Sequence, residues 1–206
     1  TFYGQIAAAK LGKKLGPISP PDIQDEDRIL LAGRPIMHAI DRLERAGYAW
    51  RADLLYRTLA GEIDRPGELA ILTERLEARG AHQVSLQVGR TAFNRGVEQV
   101  PLAFPMSAIP ANAQIGDTGK ALAFAIARQE SAFDVGAISP ANAQGLLQIL
   151  PGTAKDVASK LKLEFTPSRL TTDAAYNAQL GSQYLSEQIT RFDGSYILTF
   201  VAYNAG

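Results

Sequence analysis

The sequence predicts a mainly helical protein built in two parts. Apolar residues recur at intervals of three and four along most of the 206 residues, which is typical of helices with one buried face. Glycines close successive helical segments in the first half. Three prolines, Pro101, Pro105 and Pro110, then block a continuous helix and favour extended chain. We therefore expect a helical part at residues 1–100 and a second part at residues 101–206.

Short helical segments that end at glycine follow one another through residues 1–96. Their stops are Gly12, Gly33, Gly47, Gly80 and Gly96. Antiparallel helix pairs of this length stack into an α-solenoid, a superhelical array in which each pair contacts its neighbours. The stops are too unevenly spaced for a repeat of fixed length. A solenoid-like first part is the prediction, and an ordinary helical bundle is the alternative that the pattern leaves open.

The helix expected from residue 49 onward has an apolar face that we expect to be buried. This face is formed by Leu54, Leu55, Thr58 and Leu59. Pro66 and Gly67 are then expected to interrupt the chain before the next helix begins.

The second part is expected to open with a strong helix over residues 119–133. Leu122, Ile126 and Phe133 form its apolar stripe, and Glu130 falls at the edge of that stripe. Burial disfavours a charged carboxylate and raises its pKa toward the range that suits a general acid at neutral pH. Glu130 is therefore a candidate proton donor.

A loop and three further helices are expected after this helix. Residues 139–153 are typical of a loop with at most short strands, and Thr153 is the expected N-cap of the next helix. A longer helix covers residues 173–192, Gly194 follows its end, and a very apolar final helix begins after that glycine.

The composition favours a neutral polymeric ligand. Lys and Arg number 21, and so do Asp and Glu, which argues against a nucleic-acid partner. There is no Cys, and His38 and His82 are isolated and expected on helix surfaces, so we expect neither a metal nor a cofactor. No stretch approaches the length of a membrane span, and we expect a soluble chain, either matured or part of something longer.

Three segments of the second part occur in a characteristic order: IARQESAFD, SPANAQGLLQILPGTA and FVAYNAG. Together they resemble motifs of the soluble lytic transglycosylases, a branch of the goose-type lysozyme-like enzymes in glycoside hydrolase family 23. The first motif matches Glu130 and Ser131, and the second matches residues 145–148 with Leu147 in place of the usual Met. Residues 202–206, ending at Gly206, match the third without a substitution.

This resemblance implies a fold and a reaction. Residues 101–206 would form a lysozyme-like catalytic domain, and residues 1–100 would belong to the superhelical and linker regions that precede it. The family continues beyond the position of Gly206 with helices that complete the sugar groove. The reaction cleaves the β-1,4 bond between N-acetylmuramic acid and N-acetylglucosamine of peptidoglycan and yields a 1,6-anhydro product. Glu130 would act as the single acid and base, in contrast to glycosidases that use two carboxylates.

The resemblance also assigns roles to other residues. Tyr203 and Asn204 would hydrogen-bond the catalytic carboxyl and the acetamido group of the sugar, supported by Ser131. The sugar sites would be lined by Ser139, Gln148, Leu150 and Thr153. The implied partners are peptidoglycan glycan strands in the periplasm, with other cell-wall enzymes as further partners of the helical part.

Three alternatives stay open. On position alone, the preferred interpretation of Glu130 is a boundary residue that pairs with Arg128 or Lys120. A muramidase would hydrolyse the same bond with a second carboxylate, for which Asp134 is the nearest candidate, although a helix-end role suits that residue better. A non-catalytic binding or scaffolding protein would use its helices to recruit a partner and its second part only to hold glycan.

Overall fold

The computed structural model describes residues 2–14, 19–97 and 99–205, with side chains from Gly4 onward, and this part of the chain is mainly helical. Its α-helices are α1 (Phe2–Lys10), α2 (Asp25–Ala32), α3 (Pro35–Arg45), α4 (Ala49–Ala60), α5 (Pro66–Ala78), α6 (His82–Asn94), α7 (Gly119–Glu130), α8 (Pro151–Lys160), α9 (Ala174–Arg191) and α10 (Tyr196–Ala205). Short 3-10 helices lie at Val100–Ala103 and Pro167–Leu170. In these described ranges β-structure is limited to two isolated bridges, so the predicted helical class is confirmed.

The chain forms two compact units. The first contains Thr1–Leu72 and Val88–Phe104, and the second contains Thr73–Gln87 and Pro105–Gly206. Residues 73–87 therefore pack with the second half of the chain. The predicted domains, residues 1–100 and 101–206, stay a prediction. None of the helices in the described ranges combines the length and the apolar character that crossing a membrane requires.

Two ion pairs hold the first unit together near the start of α5. The Asp27 carboxylate, which is buried, accepts from Arg65 Nε at 2.7 Å, and the buried Glu68 carboxylate binds the Arg34 guanidinium at 2.7 and 3.1 Å. Gly67 is needed here, since a Cβ atom on it would lie 2.0 Å from Asp27 Oδ2. The predicted interruption before this helix lies at residues 61–65 and not at Pro66 and Gly67, because proline fits the first turn of a helix and α5 begins there.

Helix α4 buries a different face from the predicted one. Leu54 is 63% exposed and Thr58 is also exposed, whereas Ala52, Tyr56 and Leu59 are fully buried. The Tyr56 hydroxyl donates to Glu44 Oε1 at 2.9 Å, which provides a partner for its polar end inside the unit. A buried tyrosine with a satisfied hydroxyl thus takes the core position that the leucine pattern predicted for Leu54.

In the second unit α7 is shorter than predicted. It ends at Glu130, because Ala132 and Phe133 adopt left-handed backbone conformations with φ of 53° and 67°. Ala123 and Ala127 are its fully buried residues, while Phe133 is buried beyond the helix end. The predicted stripe of Leu122, Ile126 and Phe133 is therefore not the fully buried face of α7. The helix buries small side chains in the core.

The elements after α7 follow the prediction with one exception. The loop before α8 contains the bridges Ile138 to Gln144 and Gln144 to Ile149, which confirms a loop with minimal strand. Helix α8 begins at Pro151 with Leu150 at the N-cap, so the prediction of Thr153 as N-cap is wrong. Proline at the first helical position has a φ angle suited to the helix and moves its start upstream.

Candidate active site

Glu130 occupies the last position of α7 and is partly buried. Burial raises the pKa of its carboxyl above the ordinary glutamic acid value of 4.5. A cationic partner would lower the pKa instead, so the direction of the shift argues against pairing with Arg128 or Lys120. The residue is thus suited to hold a proton, as the sequence predicted for a general acid.

Ser131 fixes the end of α7 and connects it to the loop before α8. Its buried hydroxyl donates to the Leu146 carbonyl at 2.9 Å and accepts from the backbone N–H of Phe133 at 3.1 Å. The left-handed residues Ala132 and Phe133 then turn the chain away from the helix axis. The proton and one lone pair of this buried hydroxyl are used internally, so Ser131 stabilises the end of α7 at which Glu130 lies.

Ser139 and Gln148 shape the loop that follows α7. Ser139 Oγ accepts from the backbone N–H of Ala143 at 3.0 Å. Gln148 has a left-handed φ of 48°, and its side-chain amide donates to the carbonyls of Ala137 at 3.2 Å and Gly145 at 2.9 Å. Both side chains are partly buried, so each combines a structural hydrogen bond with a surface that a ligand can contact.

Asn177 holds this loop against α9 and was missed by the sequence analysis. Its fully buried amide accepts from the Leu147 N–H at 2.9 Å and donates to the carbonyls of Gln144 at 2.8 Å and Leu170 at 2.9 Å. Gly145 has a φ of 74°, and a Cβ atom there would lie 2.2 Å from Asn177 Nδ2. The glycine of the second motif is therefore required by this close approach.

Gly181 permits a second close approach between α9 and the loop. A Cβ atom on this glycine would lie 2.6 Å from the Cβ atom of Leu147, which is fully buried. Leu147, at the position where the family pattern has Met, therefore packs directly against the backbone of α9. A leucine fills this position with a branched side chain of similar volume.

Tyr203 lies close to Glu130. Its hydroxyl donates to the Leu147 carbonyl at 2.6 Å, and its ring centroid is 5.5 Å from that of Tyr184. The pKa of Tyr203 is raised well above its ordinary value, mainly by burial of the hydroxyl, then by the charge of Glu130 and of Tyr184. Tyr203 therefore remains protonated, and the proton is donated to the loop. The neighbouring Asn204 is exposed on α10.

Tyr184 is a second residue that the sequence analysis missed. It lies on α9, one turn beyond Leu180, so its position at helical spacing was visible but indicated only a core residue. In the structure it packs partly against the core, its ring lies against that of Tyr203, and it also lines a groove between α8 and α9, the α8–α9 groove. Thr153 lines the same groove, whereas the partly buried Leu150 immediately precedes α8.

Asp134 is engaged in the turn after α7. Its Oδ1 accepts from the Gly136 backbone N–H at 2.9 Å, and its own N–H donates to the Ser131 carbonyl at 3.1 Å. These contacts are typical of an aspartate that stabilises a turn. Within the described part of the chain, no group of three or more His, Asp and Glu side chains is arranged to hold a metal ion.

Residues 107–206 match the family model described as transglycosylase SLT domain. A Haemophilus influenzae protein provisionally named soluble lytic murein transglycosylase is 31% identical over 211 residues, which cover 100% of this chain and 35% of that protein. The soluble lytic murein transglycosylase of Escherichia coli K12 is 40% identical over 86 residues, or 41% of this chain and 13% of that protein.

Solved structures of lytic transglycosylases also match this chain in fold. The 70 kDa soluble lytic transglycosylase of Escherichia coli matches with a TM-score of 0.68 at 25% identity, over 100% of this chain and 33% of that one. An inactive glutamate-to-glutamine variant of lytic transglycosylase Slt from Pseudomonas aeruginosa matches with a TM-score of 0.72 at 26% identity, over 100% and 34% of the two chains. The chain thus spans about a third of the length of these relatives. Residues 107–206 are a transglycosylase SLT domain with a lysozyme-like fold, and the chain as a whole is similar in sequence and fold to soluble lytic transglycosylases.

Proposed function

We propose that this protein is a lytic transglycosylase that cleaves the β-1,4 bond between N-acetylmuramic acid and N-acetylglucosamine in peptidoglycan. The observation that carries the proposal is Glu130, a carboxyl with a raised pKa at the end of α7 and beside Tyr203, inside the SLT domain. A protonated carboxyl at this position supplies the acid that a glycosidic leaving group needs. Purified peptidoglycan incubated with the protein should release 1,6-anhydro muropeptides, each lighter by one water than the hydrolytic product in mass spectrometry.

In the proposed reaction the proton of Glu130 goes to the glycosidic oxygen as the bond from that oxygen to the muramoyl anomeric carbon breaks. The N-acetyl carbonyl of the same sugar stabilises the charge that develops on the carbon. The sugar's 6-hydroxyl oxygen then bonds to the anomeric carbon and gives its proton to the Glu130 carboxylate. The glutamic acid is thereby regenerated, and water is not consumed.

The comparisons support this assignment through what they state about relatives. One solved structure of the Escherichia coli 70 kDa enzyme is a complex with bulgecin A, and the inactive Pseudomonas aeruginosa variant carries a single exchange of glutamate for glutamine. Inactivation by removal of one titrating carboxyl suits a mechanism that depends on one glutamate. We assign that role to Glu130 in this chain.

The supporting residues have proposed roles that follow from their contacts. Tyr203 donates to the Leu147 carbonyl, so it holds the loop in place. The lone pairs of its hydroxyl oxygen are the proposed acceptor for the protonated Glu130 carboxyl. Asn204, exposed on the adjacent position of α10, is the proposed partner of the sugar acetamido group. The proposed sugar contacts remain Ser139, Gln148, Leu150 and Thr153.

The pH dependence of the reaction should follow the protonation of Glu130. Its pKa is raised, so the acid form persists above pH 4.5 and the rate should fall as pH rises through the shifted value. Since burial and not an ion pair causes the shift, salt should leave the midpoint of this alkaline limb nearly unchanged. A kcat/KM profile recorded at low and high ionic strength measures both features. If the midpoint of the alkaline limb moved strongly with salt, a charged partner of Glu130 would be indicated instead.

The muramidase alternative is tested at Asp134. Asp134→Asn keeps the size of the side chain and its acceptor oxygen for the Gly136 N–H, so we expect it to retain most of the wild-type activity, with any loss traced to stability. Turnover of peptidoglycan and the end groups of the products should be measured together. Loss of turnover in the folded variant, with free reducing ends in the wild-type products, would favour the hydrolase.

The remaining proposals concern the role of the first unit and the location of the protein in the cell. We propose that its helices belong to a longer superhelical region, that they contact other cell-wall enzymes, and that the protein acts in the periplasm. The support is the similarity to relatives named soluble lytic murein transglycosylases, of which this chain covers about a third. A scaffolding role without catalysis is the alternative, and detection of anhydro products would exclude it.

A further inference from the structure

The turn that follows Glu130 has a strained backbone. Ser131 is the C-cap of α7, and Ala132 and Phe133 then have φ angles of 53° and 67°. Glycine usually occupies the first left-handed position after a helix, because a Cβ atom is disfavoured there. Among the described residues, no other two neighbouring non-glycine residues both have positive φ angles. Strain of this kind persists only where the surrounding structure imposes it, and it is concentrated at functional sites.

Phe133 supplies the packing that imposes this conformation. Its side chain is buried in the core of the second unit, and its ring meets that of Phe124 edge to face at 6.1 Å between centroids. Phe124 lies on α7 itself, so the chain must reverse after the helix for the two rings to meet. The backbone N–H of Phe133 also donates to Ser131 Oγ at 3.1 Å. The burial of this aromatic ring thus offsets the strain of two left-handed residues.

The turn determines where Glu130 lies. It ends α7 at Glu130, although the five residues that follow include neither Pro nor Gly and local signals would let the helix continue. It also places Ser131 Oγ 2.9 Å from the Leu146 carbonyl. The next carbonyl, that of Leu147, accepts from Tyr203. The turn therefore fixes the end of α7 to the loop that Tyr203 also holds.

We propose that Phe133 is a positioning residue for the catalytic acid: its buried ring maintains the strained turn at residues 132–133, and this turn holds the Glu130 carboxyl in place. The inference rests on the proposed function, because it takes Glu130 as the acid. Phe133 is buried, so it acts through the backbone of the turn and not by contact with the substrate. A small displacement of a catalytic group is costly to the rate, so a rigid turn favours catalysis even though its strain lowers stability.

The first test is Phe133→Leu, which keeps the residue apolar but removes the ring that holds the turn. We expect kcat for peptidoglycan cleavage to fall about tenfold while KM stays within about twofold, because a displaced acid affects the reaction more than binding. Burial raises the pKa of Glu130, so a carboxyl released toward solvent should have a lower pKa, and the alkaline limb of the rate profile should move to lower pH. Titration of the Glu130 carboxyl by ¹³C NMR measures the same shift without turnover.

Ala132→Gly tests whether strain is the reason that the ring is needed. Glycine adopts a φ of 53° without strain, so this exchange alone should raise the melting temperature by about 2 to 4 °C. A turn without strain no longer depends on the ring. On the Ala132→Gly background, Phe133→Leu should therefore lower kcat by less than about threefold and leave the pKa of Glu130 near its wild-type value. A residue that only stabilises the core would not show this rescue.

Ile109→Ala is the matched control, because Ile109 is buried in the same core but is not part of the turn. It should lower the melting temperature at least as much as Phe133→Leu. At temperatures well below melting it should leave kcat and the pKa of Glu130 unchanged. If Phe133→Leu does not fold, Phe124→Leu removes the partner of the ring and should produce the same changes to a smaller extent.

The outcomes distinguish this inference from the proposed function. If the wild-type protein releases no anhydro product, the proposed reaction fails, and the NMR titration still tests the turn: Phe133→Leu must lower the pKa of Glu130, and added Ala132→Gly must restore it. A folded Phe133→Leu variant that is less stable but keeps the wild-type kcat and pKa of Glu130 would overturn the inference. Equal losses with Ala132 and with Ala132→Gly would overturn it as well, since relief of strain would then have no effect on the position of the acid.

Discussion

Glu130→Gln should reduce the rate of peptidoglycan cleavage by at least about a thousandfold, the scale of losing a general acid that also serves as the base. The glutamine keeps the shape of the side chain at the end of α7 but has no acidic proton to give to the leaving oxygen. It also cannot accept the proton of the 6-hydroxyl. Both halves of the proposed reaction depend on this one group, so no second residue restores the rate. Release of anhydro muropeptides from purified peptidoglycan measures the effect.

The matched control is Glu164→Gln, the same chemical exchange at an exposed position of the second unit. It should retain wild-type turnover, and both variants should unfold at the wild-type temperature within a few degrees. Near-normal turnover by folded Glu130→Gln would remove this residue from the mechanism.

The order of the helices was predictable because their ends depend on local chemistry. Gly47, Gly80 and Gly96 all have positive φ angles, which a glycine adopts without strain, and each follows a predicted helix. The end of α7 was not predictable in the same way. Ala132 and Phe133 hold left-handed conformations that their side chains disfavour, and tertiary packing around buried Phe133 imposes them.

Helix α4 shows that periodicity alone does not predict which face of a helix is buried. Periodicity indicates which residues share one side of a helix, but two adjacent stripes of α4 both contain apolar residues. The choice of Tyr56 and Ala52 over Leu54 depends on Glu44 of α3, which accepts the tyrosine hydroxyl. Glu44 lies on a different helix, so the periodicity of α4 alone does not indicate this partner.

Within the candidate site, the motifs identified Glu130 and Tyr203, whereas Asn177 and Tyr184 came only from the structure. Glu130 was recognisable from the motif around it, since its position beside an apolar stripe alone favoured a boundary residue paired with a neighbour. Asn177 lies in a helical segment with ordinary polar neighbours, and its importance comes from three backbone groups that are 7 to 33 residues away in sequence. No pattern in one sequence joins those positions.

Asn177→Ala should lower the stability of the second unit by roughly 3 to 5 kcal/mol, because it leaves three buried backbone groups without a partner. These groups are the Leu147 N–H and the carbonyls of Gln144 and Leu170. A buried polar group without a hydrogen bond costs about 1 to 3 kcal/mol, and the cavity next to Gly145 adds to that cost. At about 2 to 4 °C per kcal/mol for a chain of this size, the melting temperature should fall by roughly 10 °C.

Asn177→Asp separates the two kinds of hydrogen bond that this amide makes. The aspartate still accepts from the Leu147 N–H, but it places a second oxygen against the carbonyls of Gln144 and Leu170, so it should destabilise at least as much as the alanine variant. The exposed Asn112→Ala is the control and should change stability by less than about 0.5 kcal/mol. Calorimetry on the three variants measures these shifts.

Because the same loop holds the Leu147 carbonyl that accepts from Tyr203, turnover at temperatures well below melting should also fall in both Asn177 variants. Wild-type melting and wild-type turnover in Asn177→Ala would mean that water replaces the amide and that the loop keeps its position without α9.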